Sequence, residues 1–227
     1  GSKIVKPESV QYLISHKISK EILESCKLLK GIIIPFVGVP ENFREILALY
    51  PNLSVHNIHH NAIAVAENTT ALMLAAAKNL IPADRAMRSH DWRPRYSANP
   101  SVQLSEKTAL ILGYGTIGQL IGKMLMGFNM RMLATRKSLS SQEMDGEILV
   151  HPADHLRHLL PRAQFLINIL PLTAETEGLL GFEELALLPK GAVVVNTGRG
   201  KAIDQKAFFN ALKSGHLGAA GVDVWYN

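Results

Sequence analysis

The chain has one cysteine in 227 residues, so it cannot form an internal disulfide. A lone thiol fits a reducing compartment. Cys26 lies among helix-spaced apolar residues in SKEILESCKLLK, the setting of a buried inert thiol rather than a nucleophile. Aromatic residues are sparse, at 6% of the chain. Lys and Arg are scattered, and their densest cluster is Arg85, Arg88, Arg93 and Arg95. A nucleic-acid footprint needs a clustered basic face, which a formal charge of +5 spread in this way does not make. A small anionic ligand accounts for local basic residues equally well. There is also no long apolar run: AIAVAENTTALMLAAAKNLI is interrupted by Glu67, Asn68 and Lys78 and is unsuited to spanning a bilayer. No secretory signal pattern opens the chain. The expectation is a cytoplasmic protein with no nucleic-acid or membrane partner.

What remains is ordinary globular composition, 47% apolar and 19% charged, in a chain long enough for one large domain or two small ones. Strand-length apolar runs alternate with helical patterns. The strand candidates are VQYLIS, GIIIPF, LSVHN, KTALIL, MRMLAT, QFLINI, AVVVN and LGAAGVDV. The helical ones are SKEILESCKLL, ENFREILALY, AVAENTTALMLAAAKNL, the stretch after Gly115, ADHLRHLL, FEELALL and DQKAFFNALKS. Repeated βα units with nearly continuous apolar strands predict a parallel sheet covered on both faces. The last five strand candidates, from Lys107 to Val224, are expected to form one nucleotide-binding sheet. The boundary falls beside the long helix that begins near Ala64, giving units over residues 1–62 and 63–227. The polar, proline-bearing SHDWRPRYSANPSVQLSEK reads as a surface connection.

ILGYGTIG places Gly113, Gly115 and Gly118 in G-x-G-x-x-G order between the strand KTALIL and a helical stretch. In that context the first glycine permits a tight turn and the second lets a pyrophosphate approach the backbone. The third allows close helix–strand packing, and the helix N-terminus offers free N–H groups to phosphate. Such a turn usually has an acidic residue about 20 positions on, to hold ribose hydroxyls. Here Arg136 and Lys137 stand in that region, with Arg136 at the end of the second strand. Arginine can grip a 2′-phosphate through paired charge-assisted bonds, so NADP(H) is the expected cofactor, with NAD(H) possible.

Four segments in register, VAENTTALMLAAAKNLI, ILGYGTIG, the run through PLTAET to NTGRG, and ALKSGHLGAAGVDVW, resemble the D-isomer-specific 2-hydroxyacid dehydrogenase family over roughly residues 13–225. The fold this implies is α/β, a Rossmann-type doubly wound parallel sheet with a smaller, incomplete flavodoxin-like substrate domain. Residues 1–62 would be part of the substrate domain and 63–227 the NAD(P)-binding domain without its C-terminal end. The implied activity is hydride transfer between NADP(H) and a small 2-oxo acid/(R)-2-hydroxy acid pair.

By the same resemblance, Arg199 in NTGRG is the catalytic arginine that binds the substrate carboxylate and polarises its 2-oxo group. Thr197 and Gly198 would lie against the nicotinamide, and Asp223 would receive its carboxamide. Pro171 and Thr176 would line the cofactor's path, and Thr116 and Ile117 would meet the pyrophosphate. Val37 and Gly38 would present backbone amides to the substrate carboxylate. Asn57 and Asn61 would shape a loop near the cleft, with His56, His59 and His60 bordering it. A homodimer is implied, with the long helix and the following arm as its interface.

The family's glutamate and general-acid histidine would fall beyond Asn227, so the chain is expected to be truncated at both ends and to show little activity. His216 precedes a strand at a surface position and is not assigned as the acid. Arg136 departs from the family's commoner aspartate and resembles NADP-preferring members such as many glyoxylate and hydroxypyruvate reductases. The alternative is a nucleotide-sensing, corepressor-like interaction module on the same fold; adenosylhomocysteine hydrolysis fits NTGRG less well. His151, His155 and His158 could share one helix face, where a solvated face is the expected role and no metal site is assigned.

Overall fold

The structure, a computed structural model, describes residues 6–15, 17–35, 41–58, 60–96 and 101–226. It divides into two compact units, Gly1–Ala62 and Ile63–Asn227. Among the described residues no helix is long and apolar enough to cross a membrane.

In the smaller unit β1 (Tyr12–Ile14), β2 (Gly31–Ile34) and β3 (Ser54–Asn57) form a parallel sheet in that order. Two helices connect them, α1 (Lys20–Ser25) and α2 (Glu41–Ala48). Ser19 caps α1 by accepting from the Ile22 N–H, and the helix stops well short of the apolar periodicity that suggested it. Ile18, Leu23, Ile32, Ile34 and Phe43 make the core. Cys26 is buried and free. Val37, Gly38 and His59 lie outside the described residues.

The larger unit begins with α3 (Ala62–Ala77) and α4 (Leu80–Arg88). The helical stretch read from the sequence, residues 64–80, covers the first of these two helices and misses the second. Asn79 separates them by adopting a left-handed conformation at φ 53°, which asparagine tolerates better than most side chains. The connection that follows is not wholly at the surface. Leu104 is buried, and Lys78 Nζ and the Val102 N–H tie the arm to the end of α3 through the Val102 and Ala77 carbonyls.

The sheet has seven strands, two more than the apolar runs predicted. They are β4 (Thr108–Leu112), β5 (Arg131–Arg136), β6 (Glu143–Asp145), β7 (Ile148–Pro152), β8 (Phe165–Asn168), β9 (Ala192–Asn196) and β10 (Leu217–Val222). Their spatial order is β10-β9-β8-β4-β5-β7-β6. All pairings are parallel except β6 with β7. Without β6, this is the doubly wound order in which the chain reverses direction between the first and fourth strands, here β4 and β8. The link from β5 to β7 runs through the edge strand β6 rather than through a helix. That is why the strand ILVHP escaped a reading built on strand–helix alternation.

Residues alternate between two apolar layers, as a sheet buried on both faces requires. Ile111, Ala134, Ile167 and Val195 face α3 and α5 (Thr116–Met126). Leu110, Leu112, Leu133, Leu166 and Val194 share a layer with α6 (Leu156–Leu159), α7 (Phe182–Leu187) and α8 (Gln205–Lys213). With both faces covered, the carboxyl ends of the strands are left for chemistry.

Candidate functional site

The glycine turn follows β4 as its spacing predicts. Gly113 takes φ +100°, a conformation side chains disfavour. The Gly113 and Tyr114 N–H groups both donate to the Thr135 carbonyl, fastening the turn to β5. Gly115 is the N-cap of α5 and brings no side chain to the first-turn amides, so Thr116, Ile117 and Gly118 present N–H groups without intrahelical partners. A Cβ placed on Gly115 would meet nothing within 4 Å, whereas one on Gly118 would lie 2.5 Å from the Gly113 carbonyl oxygen. The two glycines therefore do different work: open backbone at 115, close packing at 118. Open backbone beside free helix amides fits the pyrophosphate of a dinucleotide.

Arg136 ends β5 beside this turn. Its Nε donates to the Tyr114 carbonyl at 2.9 Å, its guanidinium carbon lies 5.4 Å from the centre of the Tyr114 ring, and its Nη1 meets Glu143 Oε1 at 3.2 Å. The Tyr114 hydroxyl donates to Asp145 Oδ2 at 2.9 Å. Burial, reinforced by Asp145, pushes that phenol well above its usual range. Lys137, next along, pairs with Glu175 at 3.4 Å. Both cations at the end of β5 are thus paired with carboxylates, one of them on β6, an element the sequence did not show.

Beyond β8, Pro171 and Thr176 bracket a tight turn. Thr176 Oγ1 donates to the Pro171 carbonyl at 2.6 Å and accepts from the Thr173 N–H at 2.8 Å, so its hydroxyl shapes the turn. β8 and β9 end in register at Asn168 and Asn196, both fully buried. Asn168 Nδ2 donates to Asn196 Oδ1 at 2.9 Å and Asn168 Oδ1 accepts from the Leu170 N–H at 3.3 Å. Asn196 Oδ1 also accepts from the Gly198 N–H, and its Nδ2 donates to the Arg199 carbonyl at 3.1 Å. These two asparagines, which the sequence reading missed, hold the loops on either side of the crevice.

Gly198 sits against that crevice so closely that a Cβ would lie 2.7 Å from the Leu170 carbonyl oxygen. Thr197 Oγ1 is 2.8 Å from Thr69 Oγ1 on α3, and Thr69 also bonds the Val65 carbonyl at 2.7 Å. Thr69 has one proton, which the Val65 carbonyl takes, so Thr197 is the donor to Thr69 and is left with acceptor capacity. Arg199 is exposed, and its Nη1 donates to the Gly198 carbonyl at 2.7 Å. Asp223 is exposed just past β10, with its N–H on the Asn196 carbonyl. The glycine turn, Arg136, Pro171, Thr197, Gly198, Arg199 and Asp223 thus all lie at the carboxyl ends of parallel strands.

His216 precedes β10, at the amino end of the sheet, and its Nε2 bonds the Leu185 carbonyl. His151 is not on a helix with His155 and His158; it is buried in β7, in register with Thr135. Among the described residues no group of three or more His, Cys, Asp or Glu could hold a metal ion.

Residues 70–227 match the D-isomer specific 2-hydroxyacid dehydrogenase, NAD binding domain. The glyoxylate reductase of Pyrococcus horikoshii is 32% identical over 98% of this chain and 68% of its own length. The D-3-phosphoglycerate dehydrogenase of Methanocaldococcus jannaschii is 33% identical over 92% of this chain, which spans 39% of that longer protein. Among solved structures, the D-isomer specific 2-hydroxyacid dehydrogenase of Xanthobacter autotrophicus Py2, in complex with NADPH and MES, superposes with a TM-score of 0.82. It is 26% identical, over 99% of this chain and 69% of that one.

Proposed function

The chain belongs to the D-isomer-specific 2-hydroxyacid dehydrogenase family, and from that premise we propose that it binds NADP(H) in preference to NAD(H) and serves hydride transfer between a small 2-oxo acid and its (R)-2-hydroxy acid. One observation carries the reading: Arg199 stands between Gly198 and Gly200 at the same strand-end edge as the open Gly115 turn. A planar cation is thereby set beside a dinucleotide cradle.

Thr116, Ile117 and Gly118 would hold the pyrophosphate through backbone amides. Arg136, fixed by Tyr114, would meet the 2′-phosphate. Pro171 would border the cofactor's path, with Thr176 keeping that turn closed. Bound there, the nicotinamide supplies or accepts the hydride. Gly198 lets it approach the backbone, Thr197 offers an acceptor, and Asp223 can accept from a carboxamide N–H. Arg199 would anchor the substrate carboxylate by a bidentate bond and draw charge toward the 2-oxo oxygen. Val37 and Gly38 are proposed to add amide donors. In this reading Arg199 carries the catalytic role. Glyoxylate, the substrate in the name of the Pyrococcus relative, is the first 2-oxo acid to try.

Association into a homodimer is proposed through α4 and the following arm, where Leu80, Ile81, Met87 and Trp92 are each more than half exposed. Light scattering would show a single-copy mass if that is wrong.

The deciding experiment is titration of the chain with NADPH and NADH, repeated on Arg136→Asp. The parent should favour NADPH and the variant NADH. Tighter NADH binding by the parent, with a ratio unmoved by the substitution, would sink the cofactor assignment.

A further inference from the structure

The two cations at the end of β5 are each already matched by a carboxylate from another element. Glu143, on the edge strand β6, meets Arg136, and Glu175, in the turn after β8, meets Lys137. Since β4 lies between β5 and β8, the Lys137–Glu175 pair reaches across the edge where the Gly113–Gly115 turn sits. Arg136 cannot simply swing away from Glu143, because its Nε is bonded to the Tyr114 carbonyl and its guanidinium carbon lies over the Tyr114 ring. The Tyr114 hydroxyl is in turn bonded to Asp145, two residues beyond Glu143 on the same strand. β6 is therefore clipped to the glycine turn at two points, with Glu143 held against Nη1 of the guanidinium.

We propose that Glu143 and Glu175 are specificity-determining residues that compete with a 2′-phosphate for Arg136 and Lys137, and so narrow the site's preference for NADP(H) over NAD(H). This rests on the dinucleotide reading above. A 2′-phosphate approaching either cation meets a carboxylate of its own sign already paired with it. A 2′-hydroxyl carries no charge and leaves both ion pairs in place. The competition is graded, because the pairs are part-exposed: 31% for Arg136 and 47% for Glu143, 80% for Lys137 and 66% for Glu175. Ion pairs of that exposure are weak, so removing one carboxylate should change the NADPH dissociation constant by about two- to fivefold. A sequence with Arg136 at the strand end thus describes half of the selectivity device; the other half comes from two carboxylates that the fold returns to it.

The test is to measure NADPH and NADH dissociation constants by calorimetry for the parent, Glu143→Gln, Glu175→Gln and the double variant, with melting temperatures as a folding control. The NADPH preference should rise about two- to fivefold in each single variant and further in the double, with melting little changed. High salt should shrink the differences. A preference that stays level or falls in the double variant overturns the proposal while leaving the cofactor site standing. A parent that binds neither dinucleotide overturns the cofactor reading, and this inference with it.

Discussion

Asn168 donates its side-chain amide to the side-chain oxygen of Asn196 at 2.9 Å, at the point where β8 and β9 end side by side. The orientation of both amides is fixed by their other partners. Asn168 Oδ1 accepts from the Leu170 N–H and Asn196 Nδ2 donates to the Arg199 carbonyl. Truncation to Asn168→Ala leaves the Leu170 N–H without its acceptor, and should cost about 1–3 kcal/mol in urea denaturation. Asn168→Asp should cost more at neutral pH, because it turns a buried donor into a charged acceptor facing another acceptor. Equal losses for the two variants would show that packing, not the bond, holds this point.

The two glycines of the turn should separate fold from binding. Gly118→Ala drives a methyl against the Gly113 carbonyl and is expected to destabilise by about 1–3 kcal/mol, as overpacking does. Gly115→Ala meets no neighbour within 4 Å and costs at most about 1 kcal/mol, from the poorer N-cap. Its methyl fills the space a pyrophosphate would use, so dinucleotide affinity should fall by about tenfold or more. Melting curves and cofactor titrations on the same pair of variants check both halves.

This contrast also marks how far the sequence could be read. The turn was legible because a buried strand, three spaced glycines and an amphipathic helix are all local signals, and β4, β5, β8, β9 and β10 appeared as long apolar runs. Strands β6 and β7 were not, since EMD is polar and ILVHP follows it with no helix between β5 and β7. The break at Asn79 was hidden within an apolar helical run. Asn168 and Asn196 look in sequence like ordinary polar residues closing apolar runs; only strand register reveals that they meet. Glu143 and Glu175 lie outside the spacing at which a ribose-binding acid is sought, and their pairing with Arg136 and Lys137 is a product of tertiary structure alone.

Arg199 should be separable from cofactor binding. Among the described residues its guanidinium makes one hydrogen bond, to the Gly198 carbonyl, so Arg199→Gln should fold normally and bind NADPH within about twofold of the parent. Charge-assisted bonds contribute about 1.5–3 kcal/mol. Calorimetry of glyoxylate or pyruvate with the NADPH-loaded chain should therefore show a loss of about tenfold to a hundredfold. An unchanged acid affinity would remove Arg199 from the substrate site.

His151 should make stability depend on pH. Both of its ring nitrogens are buried without a hydrogen-bond partner. Burial first, then the nearby charges of His155 and Arg162, hold its pKa below the usual 6.5. The unfolded chain takes up this proton near pH 6.5, while the folded chain resists it until the pH is lower. Between those points protonation favours unfolding. The contribution is therefore intact above about pH 6.5 and lost as pH falls toward the depressed folded value, with a slope of at most about 1.4 kcal/mol per pH unit for one proton. Below that value the slope from this residue vanishes. Replacing the ring by one that cannot be protonated, His151→Phe, should flatten this part of the profile and raise stability near pH 5 relative to the parent. Parallel urea-denaturation profiles for parent and variant between pH 5 and 8 would show instead that His151 takes up its proton equally well in the folded chain.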